Sequence, residues 1–135
     1  MWVVMDLSAY LDRIDYRGGS TASRDTLRAL HLAHVLAVPF ENLDGYRSVP
    51  ASLEPADLFA KIVTARRGGY CFELNGLFSL LLEALGFEVT RLIARVRYGV
   101  KPPYPRSHQV LQVTIGGEPW LVDVGFGGNG LLEPI

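Results

Sequence analysis

The hydrophobic repeat of this chain changes period once, near Gly86, and that change limits what the chain can fold into. Before Gly86, apolar residues recur at helical spacing; after it they alternate. Helices grouped ahead of strands give an α+β fold. We expect a helical bundle over residues 1–86 and the opening strands of an antiparallel sheet or barrel over 87–135.

Helix signals punctuate the first part. Asp6 suits an N-cap, with Leu7, Tyr10, Leu11 and Ile14 on one stripe and Gly18-Gly19 as a stop. Ser23 caps a second helix through Leu27, Leu30, His34 and Val35, which Pro39 closes. Pro55 opens a third, burying Leu58, Phe59, Ile62 and Val63, and Gly68-Gly69 breaks it. The fourth runs from about Cys71 to Leu85 and is apolar on more than one side, which predicts a central position. Gly86 then fits the C′ position.

Past Phe87, Leu92, Ala94, Val96 and Tyr98 alternate with Arg91, Ile93, Arg95 and Arg97. Residues 99–106 hold three prolines and read as a loop. Residues 107–115 form a second strand, Gly116-Gly117 a hairpin turn and 120–124 the return strand, with 125–130 a flexible exit.

Hydrophobic residues make up 49% of the chain and charged residues 20%, enough for a globule with a core. A formal net charge of −1, with no basic stripe, excludes nucleic acid and acidic membrane as expected partners. The apolar start stops at Asp6, short of a signal peptide, and no apolar run approaches the ~18 residues of a membrane span. A cytoplasmic location is expected. One cysteine allows no internal disulfide, so in a reducing compartment the thiol stays free.

That cysteine follows a Gly-Gly break at the start of a helix, in Arg67-Gly-Gly-Tyr-Cys71-Phe-Glu-Leu-Asn75. A helix N-terminus favours a thiolate, and free N–H groups there can serve an oxyanion. Arg66 or Arg67 would strengthen the field. The competing reading is an inert, buried small hydrophobe.

His108 and Asp123 fall on the two strands of the expected hairpin. If Gly116 and Gly117 alone form the turn, position 110 opposes 123, and His108 and Asp123 are diagonal neighbours on one face. A carboxylate there can hold one imidazole nitrogen while the other addresses a thiol. A four-residue turn keeps the shared face and sets 123 against 112; a three-residue turn separates the two. Asp123 is otherwise a solvent-facing residue of an edge strand.

His31 and His34 lie at i, i+3 without further ligands in a motif, so we expect partly buried or surface histidines and no metal. Gly125–Gly130 lacks the lysine and following helix of a phosphate loop.

Four motifs together resemble the arylamine N-acetyltransferase family: Arg67-Gly-Gly-Tyr-Cys-Phe-Glu-Leu-Asn75, Val38-Pro-Phe-Glu-Asn42, Ser107-His-Gln-Val110 and Val122-Asp-Val-Gly-Phe-Gly127. The resemblance implies the cysteine-protease-like fold of that family, with Cys71, His108 and Asp123 as a catalytic triad. It implies acetyl-CoA as acyl donor, a small arylamine or arylhydrazine as acceptor, and transfer through a cysteine thioester. It also implies that Phe126 lines the amine pocket, that Gly127 lies near the pantetheine path, and that Arg13 and Glu41 form a structural ion pair. Family members are about twice as long, with a helical bundle, a β-barrel and an α/β lid. The chain is therefore expected to hold the bundle and the start of the barrel, and to associate with another copy or with a chain supplying the remainder. Hydrolysis of thioesters or esters, amide-synthase-like acyl transfer, and a catalytically impaired fragment acting as a binding partner are the alternative functions.

Overall fold

In the computed structural model, residues 5–97, 99, 101 and 104–135 are described. Helices come first: α1 (Leu7–Arg13), α2 (Arg24–Ala37), a short α3 (Leu43–Tyr46), α4 (Pro55–Phe59) and α5 (Cys71–Ala84). Three strands follow, β1 (Glu88–Ala94), β2 (His108–Ile115) and β3 (Glu118–Val122), in one antiparallel sheet of that order.

The expected caps are in place. Asp6 accepts from the N–H of Ala9 at 3.0 Å, and Ser23 from that of Thr26 at 3.2 Å. α1 ends earlier than Gly18, at Ile14, because Asp15 turns into the left-handed region with φ 53°. The helix expected from Pro55 is present, but only its first part, α4, is α-helical. It continues as one π-helical turn over Ala60–Thr64, which carries Ile62 and Val63 into the core.

α5 is central, as its all-round apolar pattern requires. Leu74, Leu77, Phe78, Leu81 and Leu82 are all fully buried. They pack with Tyr10 and Ile14 of the α1 region, Leu27 and Leu30 of α2, Leu58 of α4, and Leu111, Val113 and Val122 of the sheet. Burying each such side chain is worth about 1.5–3 kcal/mol relative to exposure.

Gly116 and Gly117 take φ of 60° and 84° and form a two-residue turn, with Ile115 opposite Glu118 and Leu111 opposite Val122. The next step in that register sets 110 against 123. β3 ends at Val122, so Asp123 leaves the strand directly, and not after Val124 as expected. The alternation in β1 does not give one buried face. Val89 packs against the core, whereas Leu92 and Ile93 are both exposed. Val96 lies beyond the strand, and Tyr98 falls outside the described residues. The exit segment is anchored, because Leu121 and Ile135 exchange backbone hydrogen bonds of 2.7 and 3.1 Å.

Candidate active site

Two short segments build the floor of the site. Phe40 bridges in parallel to Gly69, and the N–H of Glu41 donates to the carbonyl of Gly69 at 2.9 Å. Gly68 passes so close to Pro39 that any Cβ would overlap its carbonyl oxygen. The Val38–Asn42 and Arg67–Asn75 motifs are thus neighbours in space.

Charge is balanced beneath this floor. Lys61 Nζ lies 2.6 Å from Glu73 Oε2 and 2.9 Å from Asp44 Oδ2. Arg67 donates to Glu41 at 3.1 Å and to Asp44 at 2.9 Å. These two cations hold the Asp44 carboxyl below its ordinary range. Glu73 Oε1 also accepts from the N–H of Tyr70 at 3.2 Å, which braces the start of α5.

The pairing of Arg13 with Glu41 is corrected here. Arg13 is buried and donates to the carbonyls of Ile62, Ala37, Arg66 and Arg67, at 2.8 to 3.3 Å. Five N–H donors and no acceptor suit it to tying together carbonyls from the end of α2, the π turn and the approach to the Gly-Gly break. Glu41 takes Arg67 instead. Arg67 is therefore engaged with carboxylates and is not a free charge beside Cys71.

Cys71 opens α5, buried to 7% exposure, with Sγ 4.0 Å from the carbonyl of Ser107. His108 and Asp123 are also buried, and His108 Nε2 lies 2.6 Å from Asp123 Oδ2. That leaves Nδ1 of the ring for the thiol. Burial alone would push the Cys71 thiol up. His108 and the N–H groups of Gln109 and Phe72 outweigh it and bring the thiol below its ordinary 9.0. The helix N-terminus thus acts through the Phe72 amide, and His108 supplies the larger effect. The His108 imidazole is pushed up to about 9, first by Asp123 and then by Cys71, against burial. Burial raises Asp123 too, but His108, the Asn75 amide and the N–H of Gly125 hold it below the usual carboxylate range. The arrangement favours a thiolate–imidazolium pair backed by a carboxylate.

Phe126 stands edge-on to His108, with ring centroids 5.3 Å apart at 82°. Gly127 lies against the half-exposed Phe40 ring, where a Cβ would come within 2.8 Å of Cε1. Gly125 sits against the first turn of α5, leaving only 2.9 Å between a would-be Cβ and Cys71 Cα. All five residues named from the sequence therefore fall in one neighbourhood, around the start of α5 and the ends of β2 and β3. A cavity of about 380 Å³ borders it, lined by Asp123, Val124, Phe126 and the 128–132 segment. Among the described residues no group of three or more His, Cys, Asp or Glu side chains is placed to hold a metal ion, and no helix is long and apolar enough to cross a membrane.

Two contributors escaped the sequence reading. Asn75 is fully buried; Nδ2 donates to Gln109 O at 2.7 Å and to Asp123 Oδ1 at 2.9 Å, while Oδ1 accepts from Val124 N–H at 2.9 Å. An amide one turn after Cys71, in a largely apolar helix, was the signal for it. His31, expected to be partly buried or at the surface, is fully buried and touches the backbone of Asp123.

Comparison with known proteins bears directly on this geometry. A family model described as N-acetyltransferase matches residues 23–135. The arylamine N-acetyltransferase of Mycolicibacterium smegmatis is 48% identical over 98% of the chain and 50% of its own length. The solved arylamine N-acetyltransferase of Salmonella typhimurium superposes with TM-score 0.92 at 44% identity, covering 96% of this chain and 47% of that one. The Mycobacterium marinum enzyme solved in complex with CoA gives 0.89 at 45%, covering 96% and 50%. The chain spans about half the length of the curated relatives it matches. By fold and by sequence it belongs to the arylamine N-acetyltransferase family.

Proposed function

We propose that this chain carries the acyl-transfer site of an arylamine N-acetyltransferase, moving an acetyl group from acetyl-CoA to an arylamine or arylhydrazine. Cys71 is the nucleophile, His108 the acid and base, and Asp123 the carboxylate that orients the ring. The observation that carries the reading is the 2.6 Å contact of His108 Nε2 with Asp123, on an imidazole that also lowers the pKa of the Cys71 thiol.

The chemistry follows from that pair. The Cys71 thiolate attacks the thioester carbonyl, the bond from carbon to the sulfur of CoA breaks, and the imidazolium gives its proton to the leaving thiolate. The amine nitrogen then attacks the acyl-enzyme. Neutral imidazole takes the amine proton, the bond from carbon to Sγ breaks, and the thiolate–imidazolium pair is restored. Phe126, edge-on to the imidazole, supplies an aromatic wall for the acceptor, and Gly127, whose missing side chain lets the Phe40 ring pack against it, lies near the path of the pantetheine arm. The same reading includes a cytoplasmic setting, a division into a helical unit over 1–86 and the start of a barrel over 87–135, and association with another copy or a complementing chain. The exposed Leu92 and Ile93 support that association.

The test is incubation with a chromogenic acetyl ester or acetyl-CoA, with and without an arylamine, followed by intact mass. An adduct of one acetyl group on Cys71, discharged by the amine, is the expected result. Discharge equally fast without amine makes the chain a hydrolase, and absence of an adduct refutes acyl transfer by this chain.

A further inference from the structure

His31 lies on α2, fully buried and edge-on to Phe78. Its two nitrogens meet two backbone groups of opposite kind. Nε2 is 3.3 Å from the N–H of Asp123, and Nδ1 is 3.2 Å from the carbonyl of Leu132. An amide N–H only donates and a carbonyl only accepts. One state of the ring satisfies both: neutral, with its hydrogen on Nδ1 and its lone pair on Nε2. Those backbone groups stand at the two ends of the 123–132 segment, which carries Asp123 and Phe126. A single imidazole therefore closes that loop onto α2. Just beyond it, Arg28 Nε donates to Glu133 Oε2 at 2.7 Å, so the anchorage continues along the same helix.

We propose that His31 is a positioning residue, locked as the Nδ1–H tautomer, that fixes the backbone of Asp123 and thereby the approach of its carboxylate to His108. The proposal rests on the assignment of Asp123 as the orienting carboxylate. A protonated or inverted ring would set an N–H donor against the N–H of Asp123, and the contact would become repulsive. The surroundings favour the neutral form. Burial lowers the His31 pKa, against the Leu132 carbonyl and the charges of Asp123 and Glu133. Glu133 is itself paired with Arg28. The neighbouring His34 on α2 is pushed down to about 3 by burial and stays uncharged.

Two measurements on the full chain test this, and neither needs an acetyl donor. Nitrogen-15 NMR of the histidine rings should show His31 with an unprotonated, pyridine-type Nε2 and a protonated, pyrrole-type Nδ1 at neutral pH. The second measurement is the rate of Cys71 alkylation by iodoacetamide at pH 7 in three variants. His31→Phe removes both bonds while keeping ring packing. His31→Asn keeps a donor near Nδ1 but loses the acceptor for Asp123, and His31→Gln places an oxygen near Nε2. Loss of the Asp123 contact should slow alkylation about fivefold in His31→Phe and His31→Asn. His31→Gln should restore the rate whatever its melting temperature. An Nε2–H ring, or variant rates that merely follow melting temperature, overturns the proposal and leaves the triad standing. The expected tautomer beside a thiol that titrates near 9 overturns the triad instead, and with it the catalytic consequence of His31.

Discussion

Asn75 and Asp123, 48 residues apart in the chain, meet through a hydrogen bond of 2.9 Å, and the same amide holds Gln109 on β2 and Val124 beyond β3. The side chain joins α5, which begins at Cys71, to β2, which begins at His108, and to the residues that directly follow β3. It does so with no exposure to water, and it shares Asp123 Oδ1 with the N–H of Gly125 at 3.0 Å.

Replacing it should therefore be costly. Asn75→Leu leaves a carboxylate oxygen, a carbonyl and an N–H buried with fewer partners than they need. We expect a loss of at least about 2 kcal/mol in unfolding free energy, read by urea denaturation. Cys71 alkylation should slow as well, because the carboxylate is no longer held from α5.

Gly125 is expected to tolerate no side chain. A Cβ would lie 2.9 Å from Cys71 Cα and 3.2 Å from its carbonyl oxygen, and backbone at the start of a packed helix cannot give way cheaply. Gly125→Ala should cost roughly 1–3 kcal/mol and displace Asp123 from His108. Gly19→Ala, with open space around it, is the control and should leave both stability and alkylation unchanged.

Stability should depend on pH in a way that separates the three groups. The folded Asp123 carboxyl is held below its ordinary 3.8, so its contribution is present above that value and is lost as pH falls through the folded value. His108 is raised from 6.5 to about 9, so its contribution is full below 6.5 and is lost as pH rises toward 9. The Cys71 thiol is lowered from 9.0, so its contribution grows with pH up to 9 and opposes the histidine loss. Melting temperature in the native chain should therefore fall less between pH 6.5 and 9 than the histidine alone would make it fall. Cys71→Ala removes the opposing group, and its melting temperature should fall further across that window. A profile for the variant parallel to the native one would contradict the assigned shifts.

Much of this site can be read from local chemistry. Gly116-Gly117 accept positive φ at both turn positions, which favours the two-residue turn among the three lengths open to the chain; with that turn formed, the shared face of residues 108 and 123 follows by counting. The caps Asp6 and Ser23 and the largely apolar α5 are equally local. What escaped depends on contacts distant in sequence. Arg13 ties carbonyls from the end of α2, the π turn and the approach to the Gly-Gly break, and which carbonyls those are is not written in a motif. Leu92 and Ile93 alternate like half-buried residues, yet burial depends on what packs across the strand, which periodicity does not specify. His31 read as a partly buried or surface histidine because its partners are backbone atoms, which any sequence can supply.

The most direct measurement is the pH dependence of Cys71 alkylation, compared between the native chain and Asp123→Asn. The thiolate–imidazolium pair requires the native thiol to react as a thiolate at neutral pH, with its titration well below 9, and the Asp123→Asn profile to move upward toward 9. A native thiol that becomes reactive only near pH 9, with the same profile in the variant, would mean that sulfur, imidazole and carboxylate do not act together.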